Sequence, residues 1–575
     1  MRVIMSLTRV GALVLVPGPA RARRAVVRGW AHRHRWTLGA TAVMLLAAVV
    51  RLRYVLSTDF PLGDGGLFSS MAGEIEQAKF RLPLFTSYNG GQIPFAYPPA
   101  GLYTAALLDA ALPCGLTEIL RFVPSFVNTL TVGAVIVLAQ TITRRRGVAL
   151  LSGTVFALYP MSYLWLIMGG GITRAFGLLF AVLAVRQVYH LCTRAHPGSL
   201  AGVIALAALT AMSHLEAAVF VLASSALLLA VYGDRGALYR LVLAAAGAAL
   251  CASPWWATVM ARHGVTPFWL AGQTGGGLLL FALVTLPMRL LPLPLAAIPL
   301  AVVLCLLWAR RHHWTQNLVS LRERPVTLLA CWMLVLLLAD LRAWLTYSAV
   351  PLAMLVGTAV LNTVATLRPL TAVGLARSAD PTPHPQPPVR VRTLALAASS
   401  ALAFIVLWWS GLVVVRPPEE LAGLTASERE AMRWVQEQLP ADSRWLVITD
   451  GEHWESDRVA EWFPALAQRV SLVTPQGQEW RPRFVDAVSR HRAAQRCAHS
   501  RPDCLTTWSQ GTGLTFTHVY VAKLTASSRH SADCCTELRT ALRSDPGYAL
   551  VYDGPGASIF VRRAPSLTSS PEERR

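Results

Sequence analysis

Charged side chains are scarce in this chain, and lysine is nearly absent from it. Aspartate, glutamate, lysine and arginine make up 14% of the 575 residues, and the two lysines are Lys79 and Lys523. A soluble globular protein averages about 25% charged residues. Hydrophobic residues reach 54%. They occur in runs of roughly 20, the length that crosses the hydrocarbon core of a bilayer. This composition excludes an ordinary soluble protein and predicts a polytopic α-helical membrane protein.

Two kinds of binding signature are also missing. The chain has no G-x-x-x-x-G-K-[ST] loop and no strand-linked G-x-G-x-x-G, which argues against an ATP-driven pump. It has no C-x-x-C pair with a matching second pair, so a zinc site is the weaker interpretation of its cysteines. Four of the nine cysteines lie close together near the C-terminus, which favours one or two disulfides of undetermined pairing: Cys497, Cys504, Cys534 and Cys535.

The formal net charge of +21 invites a nucleic-acid interpretation, but its distribution favours a membrane topology. The basic residues flank apolar runs, as the positive-inside rule requires, and form no aromatic-rich soluble face. Residues 1–35 and the triplet Arg144–Arg146 are therefore predicted to be cytoplasmic, and no nucleic-acid partner is expected. Scarce lysine is typical of a GC-rich genome, so we expect a multi-pass protein of the bacterial cytoplasmic membrane.

Tracing the basic loops predicts about eleven spans. Residues 98–112 are assigned to an interfacial helix, because counting them as a span would put Arg144–Arg146 outside. A second interfacial helix is expected at 276–289. The predicted spans are 36–56, 118–142, 147–167, 174–191, 199–213, 215–232, 237–256, 290–308, 326–343, 345–364 and 393–415.

The chain then divides into segments of different character. The tail is predicted to be an extracytoplasmic α/β domain, because Thr425 and Glu428 form a capping-box pattern ahead of a helix and several strand-like runs follow. The predicted segments are a cytoplasmic basic arm (1–35), a transmembrane domain (36–364) with its first outer loop (57–117), a Pro-rich cytoplasmic linker (365–392), a last transmembrane helix (393–415), the α/β domain (416–563) and a disordered end (564–575).

The first outer loop carries two acids, Asp59 and Asp64, in a stretch broken by proline and glycine. Such a loop can fold into a cavity above the membrane, where a carboxylate serves as a general base or helps to bind a divalent metal. The alternative is structural. Asp64 would cap a helix over 65–79, and Asp59 would be a solvated loop acid.

The layout resembles the glycosyltransferase C superfamily. An acidic loop directly after the first span is followed by Tyr97-Pro98-Pro99-Ala100-Gly101-Leu102-Tyr103, which is similar to the His/Lys-Pro-Pro-Leu segment of the protein O-mannosyltransferase and aminoarabinose-transferase group (family 39-like). The resemblance covers about 57–340 in layout and short motifs in sequence. It extends to bacterial members of the superfamily whose substrates are unknown.

The resemblance implies an inverting transfer of a hexosyl or pentosyl group from a polyprenyl-phosphate carrier to a glycan, lipid or protein acceptor at the outer face. In the superfamily a loop aspartate acts as base, or positions the acceptor and, in some members, a metal. Carried over, Asp64 is the first candidate and Asp59 the second. The two acids are five residues apart, and not adjacent or in an Asp-x-Asp pair, which leaves a metal requirement open.

An enzyme of this kind needs further groups at the outer ends of its spans. A lipid phosphate calls for arginine. Arg174 is one candidate, because it follows three glycines that would let the backbone approach a ligand closely, and Arg342 is the other. The alternative for both is interfacial snorkelling. His214 and Glu216 lie in a predicted turn between spans and are candidates for substrate binding, or form an ordinary polar turn. By residue type, a sugar or acceptor site is also predicted for Tyr88, Gln92 and Tyr97.

Two other functions remain open at this point. A transporter or flippase of a lipid-linked or polar solute would need polar residues through the middle of its spans. A non-catalytic envelope assembly protein would use its tail to bind a partner. In the tail, 450–454 and 461–464 mix acids with aromatics, which fits either sugar recognition or ordinary packing.

Overall fold

The computed structural model describes most of the chain, with gaps. The residues described are 19–194, 196–274, 325–339, 341–367, 408, 411, 413, 421–524 and 534–563, and side chains are described between 34 and 362 and in the tail. Residues 1–18, the predicted interfacial helix 276–289, the predicted span 290–308, nearly all of 368–415 and the predicted disordered end lie outside this part.

Apolar helices make up the N-terminal two thirds, and a mixed sheet with further helices makes up the tail. The helices are α1 (Pro19–Val55), α2 (Gly66–Gln77), α3 (Ala100–Ala111), α4 (Leu116–Thr143), α5 (Arg146–Leu158), α6 (Gly171–Arg194), α7 (Pro197–Ser213), α8 (Leu215–Tyr232), α9 (Arg235–His263), α10 (Thr266–Gln273), α11 (Pro325–Leu338), α12 (Trp344–Leu367), α13 (Ala426–Gln438), α14 (Arg458–Ala467), α15 (Phe484–Gln495), α16 (Asp503–Thr512) and α17 (Thr536–Ser544). The strands are β1 (Phe85–Thr86), β2 (Ile93–Pro94), β3 (Arg444–Ile448), β4 (Val470–Ser471), β5 (His518–Ala522), β6 (Tyr548–Asp553) and β7 (Ala557–Arg562).

Within the described residues, six helices are long and apolar enough to cross a membrane: α1 from His34, α4, α6, α8, α9 and α12 to Asn362. Three other predicted spans form the shorter apolar helices α5, α7 and α11, and α3, predicted to be interfacial, is a fourth short helix. The structure is thus that of a helical polytopic membrane protein. The predicted number of eleven spans is not confirmed.

The predicted span 147–167 ends early, because α5 stops at Leu158. Pro160 has no N–H to give to the carbonyl of Phe156, and this carbonyl instead accepts from the Ser162 hydroxyl. The buried guanidinium of Arg51 on α1 donates to the next carbonyl, that of Ala157. Side chains therefore satisfy the carbonyls that the broken helix leaves open.

The ends of several membrane helices meet on one side of the bundle. Asp64, after α1, accepts from the backbone N–H of Gly170 at the start of α6. His214, between α7 and α8, contacts Tyr347 near the start of α12. At the other side, Arg145 donates to Asn362 near the end of α12. The predicted alternation of spans puts the same ends together.

The tail contains a five-stranded sheet in the order β4-β3-β5-β7-β6. Strands β4, β3 and β5 are parallel, whereas β7 is antiparallel to both β5 and β6. The predicted capping box is formed, since the Thr425 side chain accepts from Glu428 N and the Glu428 side chain accepts from Thr425 N. Disulfides join Cys497 to Cys504 and Cys534 to Cys535.

The tail packs directly on the first loop of the membrane domain. Leu62 forms a β-bridge with Gly423, and the backbone N–H of Gly63 donates to the carbonyl of Ala422. The side chain of Asn89 accepts from the backbone N–H of Ser471 on β4 at 2.7 Å. Buried side chains of the loop and of the tail belong to one hydrophobic cluster, so the two segments share a core.

Candidate functional site

Asp64 and Arg174 form a two-pronged ion pair. Arg174 Nη1 lies 2.9 Å from Asp64 Oδ2, and Nη2 lies 2.8 Å from Oδ1. The backbone N–H of Gly170, just before α6, donates to Oδ1 at 3.1 Å. The carboxylate therefore sits at the N-terminus of α6, where the helix dipole favours negative charge. The two side chains are only 14% and 20% exposed.

The glycines before Arg174 admit the loop that carries Asp64. A Cβ on Gly169 would lie 2.3 Å from the carbonyl oxygen of Asp64, and a Cβ on Gly170 would lie 2.6 Å from its Oδ2. A side chain at Gly169 would require the backbone of the loop to move, and a side chain at Gly170 would displace the Asp64 carboxylate. The sequence interpretation was that these glycines allow close approach of a ligand. In the structure they allow close approach of Asp64.

Asp59, the second candidate, lies apart from this pair. Its carboxylate is held by Arg429 of α13, with Nη1–Oδ1 and Nη2–Oδ2 distances of 2.9 and 2.6 Å. Its side chain is 68% exposed. The hydrogen bond from Arg429 lowers the pKa of Asp59 below its ordinary value. Asp59 thus fastens the loop to the tail.

The two loop acids do not fit a shared metal site. Each carboxylate is paired with a different arginine, and a guanidinium group is not a metal ligand. In the described part of the chain, no group of three or more His, Cys, Asp or Glu side chains is placed to hold a metal ion.

Arg342, the second predicted phosphate ligand, lies where the tail meets the turn before α12. Its Nη2 is 3.6 Å from Oε1 of Glu455, and its guanidinium lies over the ring of Trp454 at 5.2 Å from the centroid. Its side chain remains 37% exposed. Both Arg342 and Arg174 are within electrostatic reach of Tyr97 and His214. The two predicted cations therefore face the same region.

His214 and Glu216 hold helix ends together around this region. Nδ1 of His214 lies 3.1 Å from the Tyr347 hydroxyl, and Oε1 of Glu216 accepts from the backbone N–H of Ala343 at 3.4 Å. A Cβ on Gly177, one turn beyond Arg174 on α6, would lie 2.6 Å from the Cβ of His214. The predicted turn residues thus contact α6 and the start of α12.

Tyr97 stands between the membrane helices and the tail. Its ring packs against Phe68 and Trp480, with centroid distances of 5.1 Å in both cases. Burial, and next the charge of Glu479, raise the pKa of its hydroxyl above the ordinary value. Burial likewise raises the pKa of Glu479, one of whose oxygens has no hydrogen-bond partner among the described residues. Glu479 and Trp480 carried no motif that sequence reasoning could detect.

The other two predicted sugar-site residues are placed differently. Tyr88 is buried, and its hydroxyl donates to the main-chain carbonyl of Glu461 at 2.5 Å. Gln92 is exposed and has a positive φ of 64°. Their predicted role in sugar binding stays a prediction, and the described contacts of Tyr88 join the loop to the tail.

Glu461 of α14 reaches the start of α2, next to Asp64. Its Oε2 accepts from Gly65 N and Gly66 N, and its Oε1 accepts from Leu67 N, at 2.9 to 3.1 Å. The structural alternative, in which Asp64 caps α2, is therefore wrong. Asp64 pairs with Arg174, and the N-cap residue of α2 is Gly65. Burial, and next the charge of Asp64, raise the pKa of Glu461 to about 8, against the lowering effect of the three N–H groups. The acidic-aromatic run 461–464 was the one sequence signal for this contact.

No protein-family model matches the chain, and no curated protein matches it. Among solved structures it is similar to the archaeal oligosaccharyltransferase AglB from Archaeoglobus fulgidus, in complex with an inhibitory peptide and a dolichol-phosphate, at 12% identity and TM-score 0.46 over 86% of this chain and 70% of that one. It is similar to the arabinofuranosyltransferase AftD from Mycobacteria, at 15% identity and TM-score 0.49 over 92% of this chain and 40% of that one.

A third similar structure is that of ArnT from Cupriavidus metallidurans in the apo state, at 14% identity and TM-score 0.46 over 90% of this chain and 97% of that one. These neighbours have the glycosyltransferase C fold that the sequence resembles. Their TM-scores are 0.49 or lower and their identities are 15% or lower, so these structures do not assign a function to this chain. A function has to be argued from the geometry of Asp64, Arg174 and their surroundings.

Proposed function

We propose that this chain is an inverting membrane glycosyltransferase. It moves a sugar from a polyprenyl-phosphate carrier to an acceptor at the outer face of the bacterial cytoplasmic membrane. The two-pronged pair of Asp64 and Arg174 carries the proposal, because it joins a carboxylate and a phosphate-binding group in one sheltered place.

The reaction assigns different tasks to the two side chains. Asp64 takes the proton of the acceptor hydroxyl while the hydroxyl oxygen forms its bond to the anomeric carbon. The bond from that carbon to the phosphate oxygen breaks, and its electron pair leaves with the polyprenyl phosphate. Arg174 stabilises the charge on the departing phosphate. A single displacement of this kind inverts the anomeric centre.

Pairing in the free protein implies an order of events. Both carboxylate oxygens of Asp64 are engaged by Arg174, so the carboxylate is not free to take a proton. A donor phosphate, which also binds a guanidinium with two oxygens, competes with Asp64 for the same fork. Donor binding therefore releases Asp64, and acceptor activation follows it.

Arg342 and the aromatic side chains supply the remaining requirements. The half-exposed Arg342 faces the same region as Arg174, so a second cation can hold the phosphate. Tyr97 is only partly buried, unlike the rings of Phe68 and Trp480 that pack against it, and offers an aromatic ring for contact with a sugar. One oxygen of Glu479 has no hydrogen-bond partner within the described part of the chain and can accept a hydrogen bond from a sugar hydroxyl.

Replacing Asp64 tests the assignment. Asp64→Asn keeps the size of the side chain but cannot take the proton, so transfer from a labelled polyprenyl-phosphate sugar in membranes should fall by about 100-fold or more. The matched control is Asp59→Asn, which breaks the other two-pronged pair on the same loop and should retain most of the transfer.

Expression and membrane insertion of both variants are compared with the wild type. Undiminished transfer by well-expressed Asp64→Asn would rule out Asp64 as the base. An equal loss in both variants would show that the loop, and not the carboxylate of Asp64, was disturbed.

A further inference from the structure

The loop that presents Asp64 is held by the tail as well as by α6 and the segment before it. The residues on both sides of Asp64 contact α14 or the segment before α13. The indole N–H of Trp462 donates to the carbonyl of Gly63 at 3.0 Å, and Gly63 N donates to the carbonyl of Ala422 at 2.9 Å. Immediately after Asp64, three backbone N–H groups point at the carboxyl group of Glu461.

These three N–H groups belong to the N-cap residue and to the first two residues of α2, where a helix has no internal acceptors. The N-cap residue, Gly65, has no side chain to supply one, and Asp64 turns towards Arg174. Glu461 is 1% exposed, so water does not compete with its oxygens for these N–H groups. The tail thus supplies the N-terminal cap of a helix in the membrane domain.

Close packing makes this contact specific. A Cβ on Gly65 would lie 2.7 Å from the indole of Trp462, and a Cβ on Gly66 would lie 2.9 Å from the carbonyl oxygen of Glu461. The ring of Phe60 packs on Trp462 with a centroid distance of 4.6 Å. Segments on both sides of Asp64 are therefore packed closely against α14.

We infer that Glu461 is a positioning residue for Asp64. By capping α2 from the tail it fixes the turn at 63–67 and so aims the Asp64 carboxylate at Arg174. The C-terminal domain is then an integral part of the candidate site. The effect of this cap on sugar transfer rests on the proposed function, whereas its effect on the turn at 63–67 does not.

Hydrogen–deuterium exchange on the purified full-length protein tests the structural half. Glu461→Ala should raise amide exchange in 64–70 at least tenfold, while α13 and strands β3 and β5 keep their protection. Glu461→Gln, which retains one acceptor oxygen, should give an intermediate increase. Glu437→Ala, at an exposed position on α13, is the matched control and should change nothing.

Transfer kinetics test the other half. Glu461→Ala should lower kcat at least tenfold with less than a threefold change in the KM for the donor, and Glu461→Gln should recover part of the loss. Unchanged exchange in 64–70 would overturn the positioning role whatever the activity. If exchange in 64–70 rises in Glu461→Ala but the wild-type protein transfers no sugar, the proposed function is rejected and the capping role stands.

Discussion

At the scale of single residues, the ion pair of Asp64 and Arg174 is the central feature of the candidate site. Asp64 and Arg174 were selected on separate grounds, one as an acid in a broken loop and the other as an arginine after three glycines. They are 110 residues apart in the chain, and the ion pair depends on how α6 packs beside the loop. Asp59 had the same local signal as Asp64, and only its contact with Arg429 distinguishes the two.

The raised pKa of Glu461 predicts a pH-dependent stability. In the unfolded chain this acid has an ordinary pKa of 4.5, and in the folded protein its pKa is about 8. Between these values the unfolded chain loses a proton that the folded protein keeps, so stability falls as pH rises from about 4.5 to about 8. Each pKa unit is worth roughly 1.4 kcal/mol.

Thermal unfolding in detergent at pH 5, 6.5 and 8 measures this effect. The melting temperature of the wild type should fall more steeply over this range than that of Glu461→Gln, which cannot ionise. Parallel pH profiles of the two proteins would contradict the assignment, since all other acids are common to both.

At the scale of elements, hydrophobic runs located the helices, and turn chemistry decided where they end. The predicted 98–112 helix corresponds to α3, and the helix predicted after the Thr425 capping box corresponds to α13. The third span was predicted nine residues too long, because Tyr159–Gly170 is apolar but contains Pro160. Helices α14, α15 and α16, which are only 10 to 12 residues long, were not predicted, although the Asp457 cap at the start of α14 and Gly513 after α16 are sequence signals for helix ends.

Arg51 should be needed for the broken end of α5. It is fully buried and donates to the Asn128 side chain and to the carbonyls of Ala47 and Ala157. Arg51→Met removes these donors and leaves buried acceptors unpaired, at a cost of about 2–5 kcal/mol. A lower melting temperature in detergent is the expected result, and the matched control is Arg53→Met at an exposed position of the same helix.

A melting temperature of Arg51→Met equal to that of Arg53→Met would show that the α5 end needs no support from α1. Transfer activity is a separate readout, since Arg51 does not contact Asp64 or Arg174 in the described structure.

At the scale of the whole molecule, the helix ends near Asp64 and the tail lie on one side, and the basic triplet Arg144–Arg146 lies at the other end of the bundle. The positive-inside rule predicts a direction for this arrangement, with the basic end in the cytoplasm. The disulfide between Cys497 and Cys504 is in keeping with an oxidising compartment for the tail.

Cysteine labelling of intact cells should reveal this direction. Glu452→Cys, on an exposed loop of the tail, should react with a membrane-impermeant maleimide, whereas Arg144→Cys should react only after permeabilisation. The parent protein reports the background from its native free cysteines. The reverse pattern would invert the proposed topology and move the reaction to the cytoplasmic face.

The sequence by itself determined the membrane class, most of the apolar helices, the strands of the tail and the acids and arginines worth testing. These features follow from local hydrophobicity, charge and capping chemistry. Tertiary structure decided that Asp64 pairs with Arg174, that Asp59 fastens the loop to Arg429 and that Glu461 caps α2. Each of these contacts joins residues more than 100 positions apart, and their geometry is set by packing between the bundle and the tail.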